Sequence, residues 1–160
     1  MKQETHTKSL PSIPGARIAI LQSAWYSEHT TNMVHACVKI LKEASVQEVD
    51  LYRLPGAFEL PLAARAVLRK APFDAVILFG AIIKGETFHF EMLLEGLSQG
   101  ITRVMFEENV PVINEVIPAT TLAQIVDRSG EDQFNKGIEA AKAAIETIFW
   151  RRTMTPFKLV

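Results

Sequence analysis

The densest concentration of reactive residue types lies in Gly80-Ala81-Ile82-Ile83-Lys84-Gly85-Glu86-Thr87-Phe88-His89-Phe90. Its glycines would let backbone approach a bound group closely. A helix starting just after them would offer free N–H groups and the positive end of its dipole, a setting suited to phosphate. Thr87 adds a hydroxyl, Lys84 a charge, and His89 a group able to move protons near neutral pH. An ordinary glycine turn with a Thr cap and a solvated histidine accounts for the same residues equally well.

Three other segments hold candidates. In Leu54-Pro55-Gly56-Ala57-Phe58-Glu59-Leu60-Pro61, Pro and Gly fix a turn and Glu59 falls in a first helical turn. There it either complements the helix dipole or accepts from ligand hydroxyls. Trp25, beside Tyr26, could stack on a flat heterocycle or close the top of a core. Asp127 to Gly137 contains Arg128, which could grip a phosphate bidentately, and Asn135, which could simply cap a helix.

The elements that must position these residues follow from periodicity. Ala16 to Ser23, Glu48 to Leu54, Ala75 to Phe79 and Val110 to Ile117 read as strands, the second stopped by Pro55-Gly56 and the last broken by Pro118. Ala75 to Phe79 is apolar on both faces, as a strand covered by helices on each side should be. Helices are predicted between Glu28 and Ala44, over Phe58 to Lys70, Phe88 to Glu107, Thr121 to Asp127 and Asn135 to Arg152. Leu62 and Leu68 are assigned to a buried face, as are Ile138, Ala141, Ile145, Ile148 and Phe149. Pro61 suits a first helical turn. Met1 to Gly15 reads as a mobile or extended arm, leaving a single domain from residue 16 to 160.

Strict β-α alternation predicts a parallel sheet with helices on both faces. In such sheets ligands bind at the carboxyl ends of strands. That directs attention to Ser23 to Tyr26, Leu54 to Glu59, Gly80 to His89 and Asn114 to Thr120, the stretches where the candidates lie.

Composition narrows the function classes. The chain has 160 residues, 48% hydrophobic and 22% charged, with formal net charge −1 and no basic block or acidic tail. This weighs against nucleic-acid binding. Cys37 is the only cysteine, so neither an intrachain disulfide nor a paired-cysteine metal site can form. A cytoplasmic location is the simplest expectation. Met1 to Leu10 carries no apolar h-region, and the longest apolar run, Ala75 to Ile83, falls short of the ~20 residues of a spanning helix. No secretory signal and no membrane partner are expected.

Taken together, Trp25 after a first strand, Pro55-Gly56-Ala57-Phe58-Glu59, Lys84-Gly85-Glu86-Thr87-Phe88-His89-Phe90, and Arg128 with Asn135-Lys136-Gly137 resemble the lumazine synthase family in order and spacing. The resemblance covers Ala16 to Trp150. It implies a flavodoxin-like three-layer α/β/α sandwich with a four-stranded parallel sheet. The activity it implies is condensation of 5-amino-6-(D-ribitylamino)uracil with 3,4-dihydroxy-2-butanone 4-phosphate to 6,7-dimethyl-8-ribityllumazine, phosphate and water. No metal and no organic cofactor is implied. Pentamers or multiples of pentamers are, with sites between subunits, and riboflavin synthase is a candidate partner.

Residue by residue, the resemblance implies that Trp25 stacks on the pyrimidine and that backbone groups of Ala81, Ile82 and Ile83 bond the uracil edge. Ala57, Phe58 and Glu59 would orient the ring and ribityl chain. Gly85, Glu86 and Thr87 would hold the phosphate, completed by Arg128 across a subunit boundary. Lys136 would approach the pyrimidine side, and His89 would transfer protons. The family's fourth strand ends in an aromatic followed by Gly. Here Asn114 stands where that aromatic would cover the neighbour's pocket, Pro118 replaces a Thr, and Glu131-Asp132-Gln133-Phe134 replaces a Gly- and Lys-containing linker. Such departures also fit a weakly active relative that binds riboflavin or lumazine, and the fold alone would fit an unrelated binding or assembly module.

Overall fold

The computed structural model describes residues 9–154, 156, 158 and 159. Its elements run β1 (Arg17–Ser23), α1 (Ser27–Glu43), β2 (Glu48–Leu54), α2 (Leu60–Lys70), β3 (Ala75–Ile83), α3 (His89–Glu108), β4 (Val112–Ala119), α4 (Leu122–Ser129) and α5 (Lys136–Thr153). The four strands form one parallel sheet in the order β2-β1-β3-β4. The alternation predicts the parallel sheet flanked by helices, and the family resemblance its flavodoxin-like α/β arrangement; both are found.

The two-residue period of β3 builds both cores at once. Ile77, Phe79 and Ala81 join a cluster with Met33, Cys37 and Leu41 of α1, Ile125 of α4, and Ala141 and Ile145 of α5. Val76, Leu78 and Ile82 point the other way, into a cluster with Leu60 and Val67 of α2 and Leu97, Ile101 and Val104 of α3. Each fully buried large apolar side chain contributes roughly 1.5–3 kcal/mol relative to exposure. The central strands therefore tolerate no polar face, and the polar candidates are confined to strand ends and edges. α1 and α3 pack on opposite faces of the sheet, which makes the carboxyl ends of β1 and β3 its topological switch point, where such folds bind ligands.

The layers differ in how closely they pack. α5 meets α1 through Gly137, Ala140, Ala141 and Ala144, all buried small residues. At Gly137 a Cβ would stand 1.9 Å from the Met33 carbonyl oxygen, so only glycine fits there.

Several sequence expectations are corrected. β3 does not stop at Phe79 but runs on to Ile83, because β4 supplies partners for Gly80 to Ile83 in Val116 to Ala119. Pro118 does not break β4. The Lys84 N–H donates to the Ala119 oxygen at 2.8 Å, so residue 119 turns its polar groups to β3 and residue 118 turns its own off the sheet. On an edge strand a missing N–H facing outward costs no ladder bond. Leu62 is 73% exposed, since it lies two residues, about 200° of helix, from buried Leu60. Phe149 is 42% exposed, one position past the α5 stripe that ends at Ile148.

Of the arm, residues 1–8 lie outside the described residues. Within the remainder Ile13 is fully buried, its N–H donating to the Ala44 oxygen at 2.9 Å.

Candidate active site

β1 and β2 end level with one another, Ser23 opposite Leu54, and the Ala24 N–H continues the pairing by donating to the Leu54 oxygen at 2.8 Å. The next residues of the two connections therefore meet. Gly56 is the meeting point: a Cβ there would stand 2.8 Å from Oε2 of Glu59 and 3.8 Å from Cδ1 of Trp25. The indole is 69% exposed, so it lines the outside of this junction rather than closing the core. Tyr26, immediately after it, caps α1 in the left-handed region (φ 58°), a conformation rare for a bulky residue.

Ala57 is buried beneath the turn, while Phe58 extends over α3. The nearest atom of its ring would lie 2.6 Å from a Cβ on Gly96, so the missing side chain of Gly96 lets Phe58 approach that helix closely.

The register of β1 with β3 ends at Gln22 and Phe79, and β3 continues beyond it through Gly80 to Ile83. Successive residues of a strand turn their backbone polar groups to alternate sides. The Val76 N–H donates to β4's side, as does that of Lys84, so Ile82 also faces β4. Ala81 and Ile83 face the space past the end of β1, which is the Trp25 side. Below them Ser23 is fully buried, and its Oγ has no hydrogen-bond partner.

Gly85 to His89 is exposed and leads directly into α3, which begins at His89. A Cβ on Gly85 would meet nothing within 4 Å, so its backbone is open to a ligand. The Thr87 hydroxyl accepts from the His89 N–H at 3.4 Å. Lys84 is committed to Glu91 (2.5 Å), whose carboxyl the ammonium hydrogen bond lowers below its ordinary range.

The remaining candidates stand on other elements with local contacts. Asn114 accepts the Val116 N–H at 3.1 Å through Oδ1, and Arg128 donates to the Gln124 carbonyl oxygen at 2.9 Å. Lys136 pairs with Glu139 one helical turn along. Asn135 is the α5 cap, accepting the Gly137 N–H at 2.8 Å and donating to the Gly130 oxygen at 2.7 Å. Trp25, Glu59, Ala81, Ile83 and His89 thus share the carboxyl edge of β1, β2 and β3. Arg128 and Lys136 project from the layer of α4 and α5, and Asn114 from edge strand β4.

The family model described as 6,7-dimethyl-8-ribityllumazine synthase matches residues 15–152. The chain belongs to that family. A 6,7-dimethyl-8-ribityllumazine synthase from Pyrococcus furiosus is 36% identical over 132 residues, 82% of this chain and 83% of that one. Namesakes from Kosmotoga olearia and Streptomyces coelicolor are 37% and 34% identical, over 82% and 92% of this chain and 86% and 92% of theirs. Among solved structures, a GDP-L-fucose synthetase from Naegleria fowleri bound to NADP overlays with a TM-score of 0.44 at 14% identity, covering 92% of this chain and 51% of that one. That likeness is too low to bear on the site.

For a lumazine synthase family member, β4 carries a residue to which the sequence reading gave no role. Glu115 pairs with Phe79 and shares the inward side of β4 with Ile113 and Ile117. Burial pushes its carboxyl up to about 7, with Glu139 raising and Lys136 lowering it. The signal was present in the period: a carboxylate alternating with two isoleucines must face the core side. Cys37, against the same face, is buried, and burial pushes its thiol well up, so it is inert. Two surface clefts, of about 480 and 690 Å³, lie elsewhere. One runs between α1 and residues 130–135 and the other between α1 and β2. Among the described residues, no helix is long and apolar enough to cross a membrane.

Proposed function

We propose that this chain condenses 5-amino-6-(D-ribitylamino)uracil with 3,4-dihydroxy-2-butanone 4-phosphate to 6,7-dimethyl-8-ribityllumazine, phosphate and water, acting as a transferase of riboflavin biosynthesis. The observation that carries the reading is the family match across residues 15–152, with Trp25 and Glu59 meeting over Gly56 at the sheet's carboxyl edge.

In this reading the pyrimidine stacks on Trp25 and is bonded along its edge by backbone groups of Ala81 and Ile83. Ile82 shapes the floor, its own groups being turned to β4. Ala57, Phe58 and Glu59 orient the ring and ribityl chain, Glu59 accepting from hydroxyls. The phosphate rests on Gly85, Glu86 and Thr87 at the start of α3, where free N–H groups favour an anion. The C5 amine of the pyrimidine adds to the ketone and water leaves, giving an imine. Phosphate is then eliminated, and the ribityl-bearing amine closes the ring with loss of a second water. His89, at the mouth of the phosphate loop, moves protons in these steps. The reaction involves no net redox change, and in this reading neither a metal nor an organic cofactor takes part.

In this reading Arg128, Lys136 and Asn114 come to the site from a neighbouring protomer, so the active unit is an oligomer, for which the family resemblance implies a pentamer or a multiple of one. An unpaired apolar rim of Trp25, Phe58, Leu62, Phe88 and Met92 supports self-association. A single reduced thiol, Cys37, fits a cytoplasmic setting, with riboflavin synthase as the consumer of the product. Purified protein mixed with both substrates should develop the lumazine chromophore; formation no faster than in buffer would end this reading.

A further inference from the structure

Gln22 is the last residue of β1 on the α1 face of the sheet, in line with Ile18 and Ile20. It is 1% exposed, yet it carries an amide where those two carry aliphatic chains. Both N–H groups of that amide are committed: Nε2 donates to the Thr30 hydroxyl at 2.8 Å and to the Thr31 hydroxyl at 2.9 Å, at the start of α1. Its Oε1 has no hydrogen-bond partner among the described residues. Burying an unpaired acceptor costs free energy, so this is not the side chain that packs the core best. What it does is join the two ends of a turn. Between Gln22 and Thr30 lies the connection that carries Trp25, closed by the Ser27 N–H on the Ala24 oxygen at 3.2 Å. Tyr26, third in that four-residue turn, has φ 58°, at a position where Gly or Asn is usual. No side chain caps α1, and the Tyr26 carbonyl accepts from the His29 and Thr30 N–H groups at 3.0 and 3.1 Å. Thr30 is therefore gripped twice, by Tyr26 at its backbone and by Gln22 at its hydroxyl.

We propose that Gln22 is a positioning residue for Trp25: its amide ties the end of β1 to the start of α1, keeps the strained turn between them closed, and so fixes the indole at the junction above Gly56. This rests on the stacking of the pyrimidine on Trp25 given above. Gln22 itself touches no substrate. An indole that is 69% exposed has few neighbours to hold it. The backbone of a turn with a bulky left-handed residue would, left alone, relax towards a commoner conformation. Two hydrogen bonds at the base of the turn, shielded from water, oppose that relaxation. An indole set in place beforehand costs the pyrimidine less to bind.

The test uses the assembled protein carrying Trp150→Phe, so that Trp25 is the only indole. Gln22→Met keeps the volume and removes the amide. Time-resolved anisotropy should then show a fast local motion of Trp25 that the parent lacks. The thermal midpoint should move little, because the unpaired Oε1 leaves together with the two bonds. The KM for 5-amino-6-(D-ribitylamino)uracil should rise about tenfold, the scale of one or two net hydrogen bonds. The KM for 3,4-dihydroxy-2-butanone 4-phosphate should stay put, with kcat little changed. Thr31→Val, which removes one acceptor at a half-buried position, should give a smaller rise, and no further rise when added to Gln22→Met. Unchanged anisotropy in Gln22→Met overturns the proposal, as does a mobile indole with an unchanged KM, or an equal rise in both KM values. Should Gln22→Met not fold, Thr31→Val puts the same two questions by itself. Complete absence of turnover in the parent would instead sink the reading of the site, and the anisotropy alone would still decide whether Gln22 fixes the indole.

Discussion

Trp25 and Glu59 close on the same point, the space above the Cα of Gly56, where Oε2 and Cδ1 would stand 2.8 and 3.8 Å from a side-chain carbon. The juxtaposition arises because β1 and β2 end in register, so the residues leaving each strand are forced together. Gly56→Ala should displace the Glu59 carboxylate, the nearer of the two and the end of a flexible side chain. Stability should change by less than about 1 kcal/mol, since such a chain swings aside readily. The KM for the pyrimidine should rise several-fold. Thermal denaturation and steady-state kinetics on one preparation check both halves.

A glycine facing backbone behaves differently. Gly137→Ala would gain about 1 kcal/mol of helix propensity, yet its Cβ would stand 1.9 Å from the Met33 carbonyl oxygen, 2.7 Å from its carbon and 2.9 Å from its Cα. None of these can rotate away, so α1 and α5 must separate. A net loss of about 2–3 kcal/mol is expected, overpacking outweighing propensity. Urea titration would measure it; an unchanged midpoint would show that the helices are not held as described.

Much of this architecture could be read in the sequence, for a physical reason. Ala75 to Phe79 is apolar on both faces, and only a central strand buries both. The helices showed their stripes, and β2 was bounded by Pro55-Gly56 as the structure has it. What escaped depends on partners distant in sequence. β3 reaches Ile83 because β4 pairs with it there, and Pro118 survives within β4 because its side of that edge faces away from the sheet. Ile13 looked like part of an arm, yet Ala44, far along the chain, anchors it. Glu115 was passed over because its neighbours Lys136 and Glu139 come from another element. The candidate segments at the carboxyl edge could be located from topology alone, whereas the geometry joining Trp25 to Glu59 needed the register of β1 with β2.

Glu115 also makes stability depend on pH, with a definite sign. Its folded pKa, about 7, lies above the ordinary carboxyl value of 4.5, so between those limits the folded chain binds more protons than the unfolded. Stability must then fall as pH rises from 4.5 to 7 and level off above. Glu115→Gln removes this term. The raised pKa corresponds in full to about 3 kcal/mol, and solvent reaching the partly exposed carboxyl screens it, so the variant should be more stable than the wild type by about 2 kcal/mol at pH 8, the difference shrinking to nothing below pH 4.5. Chemical denaturation at three pH values would reveal it; a constant difference would mean that Glu115 is solvated.

His89 begins α3 and is exposed, with its N–H on the Thr87 hydroxyl. If it relays protons, His89→Ala should lower kcat by ~10²-fold, the usual scale for one general acid–base group. KM should be nearly untouched. Activity should not vanish, because most of the acceleration comes from holding two reactants together. A variant with full kcat would remove His89 from the chemistry.

The division of candidates between two regions of the chain permits a test of assembly that no single variant offers. Trp25 stands at the carboxyl edge, whereas Arg128 lies on α4 with its guanidinium on the Gln124 carbonyl. If each site takes Trp25 from one protomer and Arg128 from the next, Trp25→Ala and Arg128→Ala oligomers should each be weakly active. Unfolding them together and refolding would create mixed rings in which some interfaces carry both native residues. For random equal mixing about a quarter of the sites regain the pair, and activity should rise accordingly, with light scattering confirming that ring size is unchanged. If both residues instead belonged to one protomer's site, every site in the mixture would still lack one of them, and mixing would restore nothing.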